Sequence, residues 1–564
     1  MLAQLAASMQ EAAQHRQLDP HGMQIRIYEK QDQFGPGFPH NESMVLPFHI
    51  TNMCASDMGI FADNPDDFQD WVKANNHNLQ DRLAWFRDIS SKTEGIGEGC
   101  HHYPRAIMGE YLKTRYQEAV QKCREIGIHV HVYPRCEVMD LCQEDNVLHL
   151  QIEDRDSKSI LSHDVDSVLL ATGHWFETDD RPHYFSSPWP AENLRRNIPE
   201  GAQVAVIGTS LSAIETLLTL TSEGEFSRLR NGKLAYKPPR HSRMFTLYSR
   251  NGLLPKVRGR PGDYKNTFFN RENLSRLLSE KRGHLRLKDV FSLLNSDLEY
   301  AYGKKMDWNE VVHPRAQPIA LLEKYIEDAV NGDGPRGELI WQTVFNQGFD
   351  MVREIYLNLT LEDRKLFDTH YTSLFFVHAA TQPSINAEKL LALLKAGIVK
   401  VVKLGSNYRL DRNDRQGNYQ FIYRDDQGNQ AKDVYQYVIN ARGQQRSFRT
   451  NTTPLAKSLI KSGTVHLGEY SPAGNTSLLT RKPLPKSQNS RCAYHTGSVW
   501  IDPETHHVIQ VDGDGIIKKS DTIYAVGAMT RGQIINASMA RGIVQATARV
   551  ARELVALHTK TAKL

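Results

Sequence analysis

The chain has 564 residues, 40% apolar and 24% charged, an ordinary globular composition with length for roughly two to four domains. Lys+Arg 69 against Asp+Glu 65 leaves a net charge of +4 with no polybasic tail or face, which argues against nucleic acid and membrane surfaces as partners. Apolar runs such as 168–171 and 374–377 have strand length, far below the roughly 20 residues of a bilayer span, so a cytoplasmic chain is expected.

Residues 2–16 place Leu2, Leu5, Ala6, Met9 and Ala13 at helical spacing, and Pro20 and Gly22 end the segment. The alternating strand 23–29 closes on Glu29, as the second strand of a dinucleotide unit does when its carboxylate takes hydrogen bonds from a ribose diol. The first strand and the G-x-G-x-x-G of such a unit do not precede it, and the reading expects them in a missing N-terminal segment. The alternative is a flavin site with half of its pyrophosphate cradle. Gly35-Pro-Gly37 suits close approach of backbone to a bulky ligand, or an ordinary loop. Helices are expected around 68–72 and over 108–126, a strand over 127–132, and hairpin strands at 136–141 and 147–153. Val168-Leu-Leu-Ala-Thr172-Gly173 then has the form that closes a flavin-binding domain.

A second unit follows at once. Strand 204–207, the turn Gly208-Thr-Ser210-Leu-Ser-Ala213 and a helix through Leu220 put free backbone N–H groups where a pyrophosphate binds, with Ser210 and Ala213 in place of the second and third glycines. The next strand, 244–250, ends in Ser249-Arg250 where an NAD site carries an acid. A hydroxyl and a guanidinium suit a 2′-phosphate, favouring NADPH over NADH; a surface arginine is the plain alternative. Lys256, Arg258 and Arg260 read as a solvated basic loop, with a contribution to the phosphate field as the alternative.

Residues 262–395 read as mainly helical, with candidates near 271–279, 319–329, 338–357 and 387–394. Strands 398–404 and 421–423 follow, and the strand from Tyr437 into Arg442-Gly443 closes the second unit. Thr522-Ile-Tyr-Ala-Val-Gly527 precedes a long helix over 533–557 whose positive N-terminal end would face a flavin, with plain scaffold as the alternative. The expected fold is α/β, with two Rossmann-like dinucleotide-binding domains and a helical insertion. The FAD domain takes 1–200 and 446–564, the NADP domain 201–261 and 396–445, and a substrate-side helical region 262–395. The six cysteines, Cys54, Cys100, Cys123, Cys136, Cys142 and Cys492, form no C-x-x-C and no zinc spacing. They read as small buried residues in a reducing cytoplasm, with a pairing in space as the alternative; the missing C-x-x-C argues against disulfide-reductase chemistry, and no metal site is expected.

Taken in order, Ile27-Tyr-Glu29-Lys, Gly35-Pro-Gly37, Asn52-Met53, Tyr103-Pro-Arg105, Ala171-Thr-Gly173-His174, Ser187-Pro-Trp189, the Gly208 turn, Ser249-Arg-Asn-Gly252-Leu-Leu-Pro255, Asn440-Ala-Arg-Gly443 and Val526-Gly527 resemble a family. It is that of the FAD/NAD(P)-binding flavoproteins that include N-hydroxylating amino-acid monooxygenases, such as nitrosuccinate-forming aspartate N-hydroxylases, and a urate hydroxylase. The resemblance implies that Glu29 holds the FAD ribose, that Gly35, Gly37, Asn52 and Arg105 border the isoalloxazine, that backbone at Val138 meets the adenine, and that Gly527 lies near the ring. Departures are the absent first glycine motif, Arg442 where a small residue is usual, and Phe376-Val-His378 where relatives often carry Arg-His-Arg. The function so implied is a monooxygenase in which NADPH reduces FAD and O2 supplies one oxygen to a small nucleophilic substrate, an amino acid or other nitrogen compound. Asn52 and His378 are the candidates that face flavin or substrate, a satisfied structural polar group being the plainer reading of each. The alternatives are an NADPH-dependent flavin reductase or oxidase and a catalytically silent nucleotide-binding protein. Oligomeric state is left open.

Overall fold

The computed structural model describes all residues other than 16–18, 87–100, 146, 178, 444, 446, 471–493, 512–515 and 562–564. Its best-formed layer is a five-stranded parallel sheet in the order Val399–Lys403, Met244–Ser249, Gln203–Ile207, Tyr437–Asn440, Tyr184–Phe185. Val204, Ala205 and Val206 in its central strand are fully buried, which is why that strand reads as an unbroken apolar run. On one face, Ile214 and Leu217 of helix Leu211–Leu220 pack with Leu390 and Leu393 of Ser384–Lys395 and with Leu322 and Tyr325 of Pro318–Asn331. On the other lies an antiparallel meander, Arg409–Asn413, Asn418–Arg424 and Gln430–Tyr435. There Tyr248 stacks on Phe421 at 4.4 Å and donates to Asp433 Oδ2 at 2.6 Å. Only the middle strand of this meander is legible as a strand, because its neighbours are mostly polar in sequence and mostly half-buried or exposed.

In the first unit Gln24–Glu29 pairs in parallel with His129–Pro134. A separate sheet joins Ile517–Ala525 in parallel to Val168–Leu170 and antiparallel to His507–Val511. The hairpin read at 136–153 gains a third strand, so that Cys136–Glu144, Val147–Asp154 and Ile160–Val165 form a meander. Helices Leu2–Gln14, Arg105–Glu125 and Ala540–Thr561 close over the parallel pair, with Leu5, Ala6 and Met9 against Val120, Cys123 and Ala551.

Four expectations are corrected. The apolar run 374–377 belongs to helix Thr372–Ala379, since four apolar residues fit a buried helix turn as well as a strand. The single helix expected over 338–357 is broken into Ile340–Gly348, Phe349–Met351 and Val352–Asn358, at a glycine pressed so closely on the Phe269 ring that a Cβ has no room. The long C-terminal helix starts at Ala540 rather than 533, because the preceding turns wrap around the buried Gln533, whose Oε1 accepts Ile501 N–H at 2.7 Å. Cys54 is disulfide-bonded rather than a free thiol. Cys123 and Cys136 are buried free thiols and Cys142 is a half-buried one. Cys100 and Cys492 lie outside the described residues. No helix among the described residues is long and apolar enough to cross a membrane.

Candidate nucleotide and substrate site

Gly208 ends the central strand at φ +130°, and a Cβ there would stand 2.8 Å from Ala441 O, so only glycine lets the two strand ends approach this closely. Its N–H is held by Tyr248 O at 2.7 Å, and Thr209 Oγ1 donates to Leu253 O at 2.6 Å, locking the turn to the loop after Met244–Ser249. Ser210 is exposed, with extended backbone and no side-chain cap on helix Leu211–Leu220, so the first N–H groups of that helix are available to an anion. Ala213 is fully buried against the sheet. The turn has the open N-terminus and the close backbone approach that a pyrophosphate cradle requires. Ser249 Oγ accepts Gly252 N–H at 3.0 Å. The exposed Arg250 reaches across to Thr369 O at 3.2 Å and Ser373 Oγ at 3.0 Å in the helical region.

The first unit supplies a second cluster. Backbone pairing of His49 and Thr51 with Arg105 and Tyr103 sets the half-buried Asn52 beside the start of helix Arg105–Glu125. A Cβ on Gly35 would meet Leu112 O of that helix at 2.7 Å, so this glycine serves helix packing, whereas a Cβ on Gly37, at φ +57°, would meet nothing nearer than Pro39 Cδ at 4.0 Å. Phe38 in the same loop packs on His174 and Phe176, beyond the exposed Ala171, Thr172 and Gly173. The Arg105 charge reaches His40, which burial has already pushed down to about 3, and Arg531 acts on His174 in the same sense after burial. Arg531 follows Gly527, a positive-φ glycine with open space beside it at the start of the turn Gly527–Thr530. The Gly37 loop, Arg105, Thr172 to His174 and the Gly527 turn therefore converge. His40 Nδ1 is buried there without a hydrogen-bond partner, and three glycines leave room for a ligand. Glu29 accepts Gln31 N–H at 3.1 Å, while Gln31 O accepts Arg135 N–H at 2.8 Å, which brings the strand end close to the meander carrying Val138. These residues fit an FAD.

A buried ion pair links the two units: Arg105 Nε donates to Glu215 Oε1 at 2.6 Å, with the side chains 14% and 4% exposed. Burial raises Glu215 although Arg105 opposes the shift. The sequence reading missed Glu215, yet a lone acid inside Leu-Ser-Ala-Ile-Glu-Thr-Leu-Leu is a signal that something pairs with it. His378 lies apart from the convergence, on helix Thr372–Ala379. Its Nδ1 bonds to Leu374 O at 2.9 Å, its ring stands edge-on to Trp341 at 5.2 Å, and burial, then the Lys256 charge, lowers it to about 4. Lys256 and Arg258 are not solvated as the basic loop suggested. Both are half-buried, because the loop pairs with Val377 and Gln382 through its backbone.

Residues 2–175 match the family model described as FAD-NAD(P)-binding. The chain is 22% identical over 468 residues to the uncharacterized protein YdhS of Escherichia coli (strain K12), covering 78% of this chain and 82% of that protein. Among solved structures it is similar to ornithine hydroxylase (PvdA) from Pseudomonas aeruginosa, at 11% identity and TM-score 0.46 over 99% of this chain and 96% of that one. It is also similar to the Kutzneria sp. 744 ornithine N-hydroxylase, at 12% identity and TM-score 0.42 over 100% and 97%.

Proposed function

We propose that this chain, with an FAD/NAD(P)-binding domain over residues 2–175, is an FAD-dependent, NADPH-using monooxygenase that hydroxylates a small nucleophilic substrate. The observation that carries the reading is the buried Arg105–Glu215 pair, which ties the helix behind the candidate flavin site to the helix behind the second nucleotide turn. Two nucleotide sites so coupled suit reduction of one cofactor by the other. The FAD domain comprises residues 1–200 and 446–564, the NADP domain 201–261 and 396–445, with 262–395 on the substrate side. When bound, reduced FAD supplies the activation of O2. The protein's share is to bind and to exclude water. Gly37, Gly173 and Gly527 leave space for the ring system, Glu29 takes the ribose, the helix start at Ser210 takes the NADPH pyrophosphate, and Phe38 and Phe176 shield the site. In this reading Asn52 and His378 are the residues that face flavin or substrate. An amino acid or other nitrogen compound is a substrate class in keeping with the family resemblance, and the reaction is placed in the cytoplasm.

The experiment is substrate-stimulated NADPH oxidation under 18O2 with amino acids, amines and apolar acids, read by mass spectrometry. One labelled oxygen in a product is the expected result. Rapid anaerobic turnover with an artificial acceptor, and no labelled product despite full FAD loading, overturns it. A second reading, electron delivery from NADPH to an acceptor without oxygen insertion, is favoured by Cys54, disulfide-bonded two residues after Asn52.

A further inference from the structure

The helical region encloses a cavity of about 590 Å³, the size that holds a drug-sized molecule. Its wall is apolar and largely aromatic, with Phe291, Trp308, Trp341, Phe345, Tyr371 and Phe375 among its residues. At one end the Lys256 ammonium stands 3.7 Å over the centre of the Tyr325 ring. The acids near it are engaged elsewhere. Asp328 Oδ1 accepts from Lys324 at 2.9 Å, and Asp333 accepts from Tyr302 Oη at 2.5 Å and from Ile340 N–H at 2.8 Å. Glu310 accepts Arg315 N–H at 3.1 Å. Among the described residues no carboxylate lies within 4.0 Å of Lys256 Nζ. His378, on the same wall, is held neutral by burial, and burial lowers Lys256 to about 8 although the more distant Asp328 and Asp333 oppose the shift.

A mostly apolar chamber whose half-buried Lys256 has no carboxylate of the described residues within 4.0 Å, with Lys304 and Lys305 exposed on the same wall, recognises a ligand of matching character: an apolar body that fills the volume and one anionic oxygen group that meets the half-buried amine. We infer that this cavity binds a small molecule with an aromatic or long aliphatic body and a single carboxylate, anchored on Lys256. The cavity also abuts the candidate flavin side. Helix Thr372–Ala379 turns Leu374, Phe375 and His378 toward the cavity, while Phe376 lies under Arg531 at 5.1 Å and Ile535 adds to the cavity wall. In the proposed oxygenation the substrate is the member of this ligand class that also carries a nucleophilic nitrogen, as an apolar amino acid does; that assignment rests on the proposed function, whereas the binding itself does not.

Quenching of tryptophan fluorescence and calorimetry on the oxidised protein without NADPH test the binding alone, with 4-phenylbutyrate and decanoate as acids, 4-phenylbutanol and decanol as their neutral partners, and L-ornithine as a polar probe. The acids are expected to bind about tenfold or more tightly than the alcohols and than L-ornithine. Lys256→Met should abolish the difference between acid and alcohol, and Lys256→Arg should keep it, which separates lost charge from lost folding. Equal affinity for acid and alcohol, tighter binding of L-ornithine, or an unchanged preference in a folded Lys256→Met overturns the site. Acid binding with no labelled oxygen in any product of the amino acids and amines, despite full FAD loading, upholds the site and sinks the monooxygenase reading instead.

Discussion

Arg250 shows how a residue legible by type acquires a second meaning in three dimensions. Its guanidinium ends the second strand of the nucleotide unit, as a 2′-phosphate reader should, yet it is held by Thr369 O and Ser373 Oγ. These bonds are exposed, so a charge-assisted pair with phosphate outcompetes them. Arg250→Ala is expected to weaken NADPH binding by about 1.5–3 kcal/mol and leave NADH nearly unchanged. Ser373→Ala, which removes only the internal competitor, should leave NADPH affinity equal or slightly higher. Calorimetric titration with both coenzymes checks this, and equal loss of both in Arg250→Ala rules the arginine out as the phosphate reader. Gly208 makes a sterner demand, since its φ of +130° and the nearby Ala441 O leave no place for a methyl group. Gly208→Ala should cost about 1–3 kcal/mol of stability and weaken NADPH binding while FAD content stays unchanged. Chemical denaturation beside a flavin absorbance measurement reads both.

Among elements, the decisive contact joins helix Arg105–Glu125 to helix Leu211–Leu220. Neither helix discloses this partner by its own periodicity, since the contact spans 110 residues of sequence. Glu215→Gln leaves the Arg105 guanidinium buried without its counter-charge, and the expected loss is about 3–5 kcal/mol. The double replacement Arg105→Met with Glu215→Leu should recover most of that stability and still impair flavin-dependent NADPH oxidation, because Arg105 also faces the candidate ring site. Thermal denaturation of the three variants checks the first part, and full activity in the double variant would remove Arg105 from the site. The helical elements carry a parallel lesson. Leu374 to Val377 is apolar in a strand as in a helix, and only its packing between the cavity and the Gly527 side settles the choice.

Across the whole molecule, buried neutral histidines set the acid limit. His49, His102 and His506 are 0%, 3% and 1% exposed, and burial, aided in each case by a nearby arginine, lowers them to about 3, 4 and 4. Unfolding restores an ordinary imidazole that takes a proton below about 6.5, so the unfolded state binds more protons and stability falls as pH drops. Each should cost about 1.4 kcal/mol per pH unit below 6.5 until it titrates in the fold. Denaturant unfolding at pH 7 and pH 5 is expected to give a clearly lower stability at pH 5, and His49→Gln should flatten the profile. A profile level between those values contradicts the neutral, buried assignment. The strand running into Gly173, the strand-turn-helix at Gly208 and helices such as Leu2–Gln14 and Arg271–Glu280 were legible in the linear chain, because a backbone turn and a period of 2 or 3.6 are local properties of adjacent residues. The packing of residues far apart in the chain was left to the fold: the Arg105–Glu215 pair, the meander under Tyr248, the internal partners of Arg250 and the chamber around Lys256. Burial and charge pairing arise only when distant segments meet, and no spacing along the chain encodes that meeting.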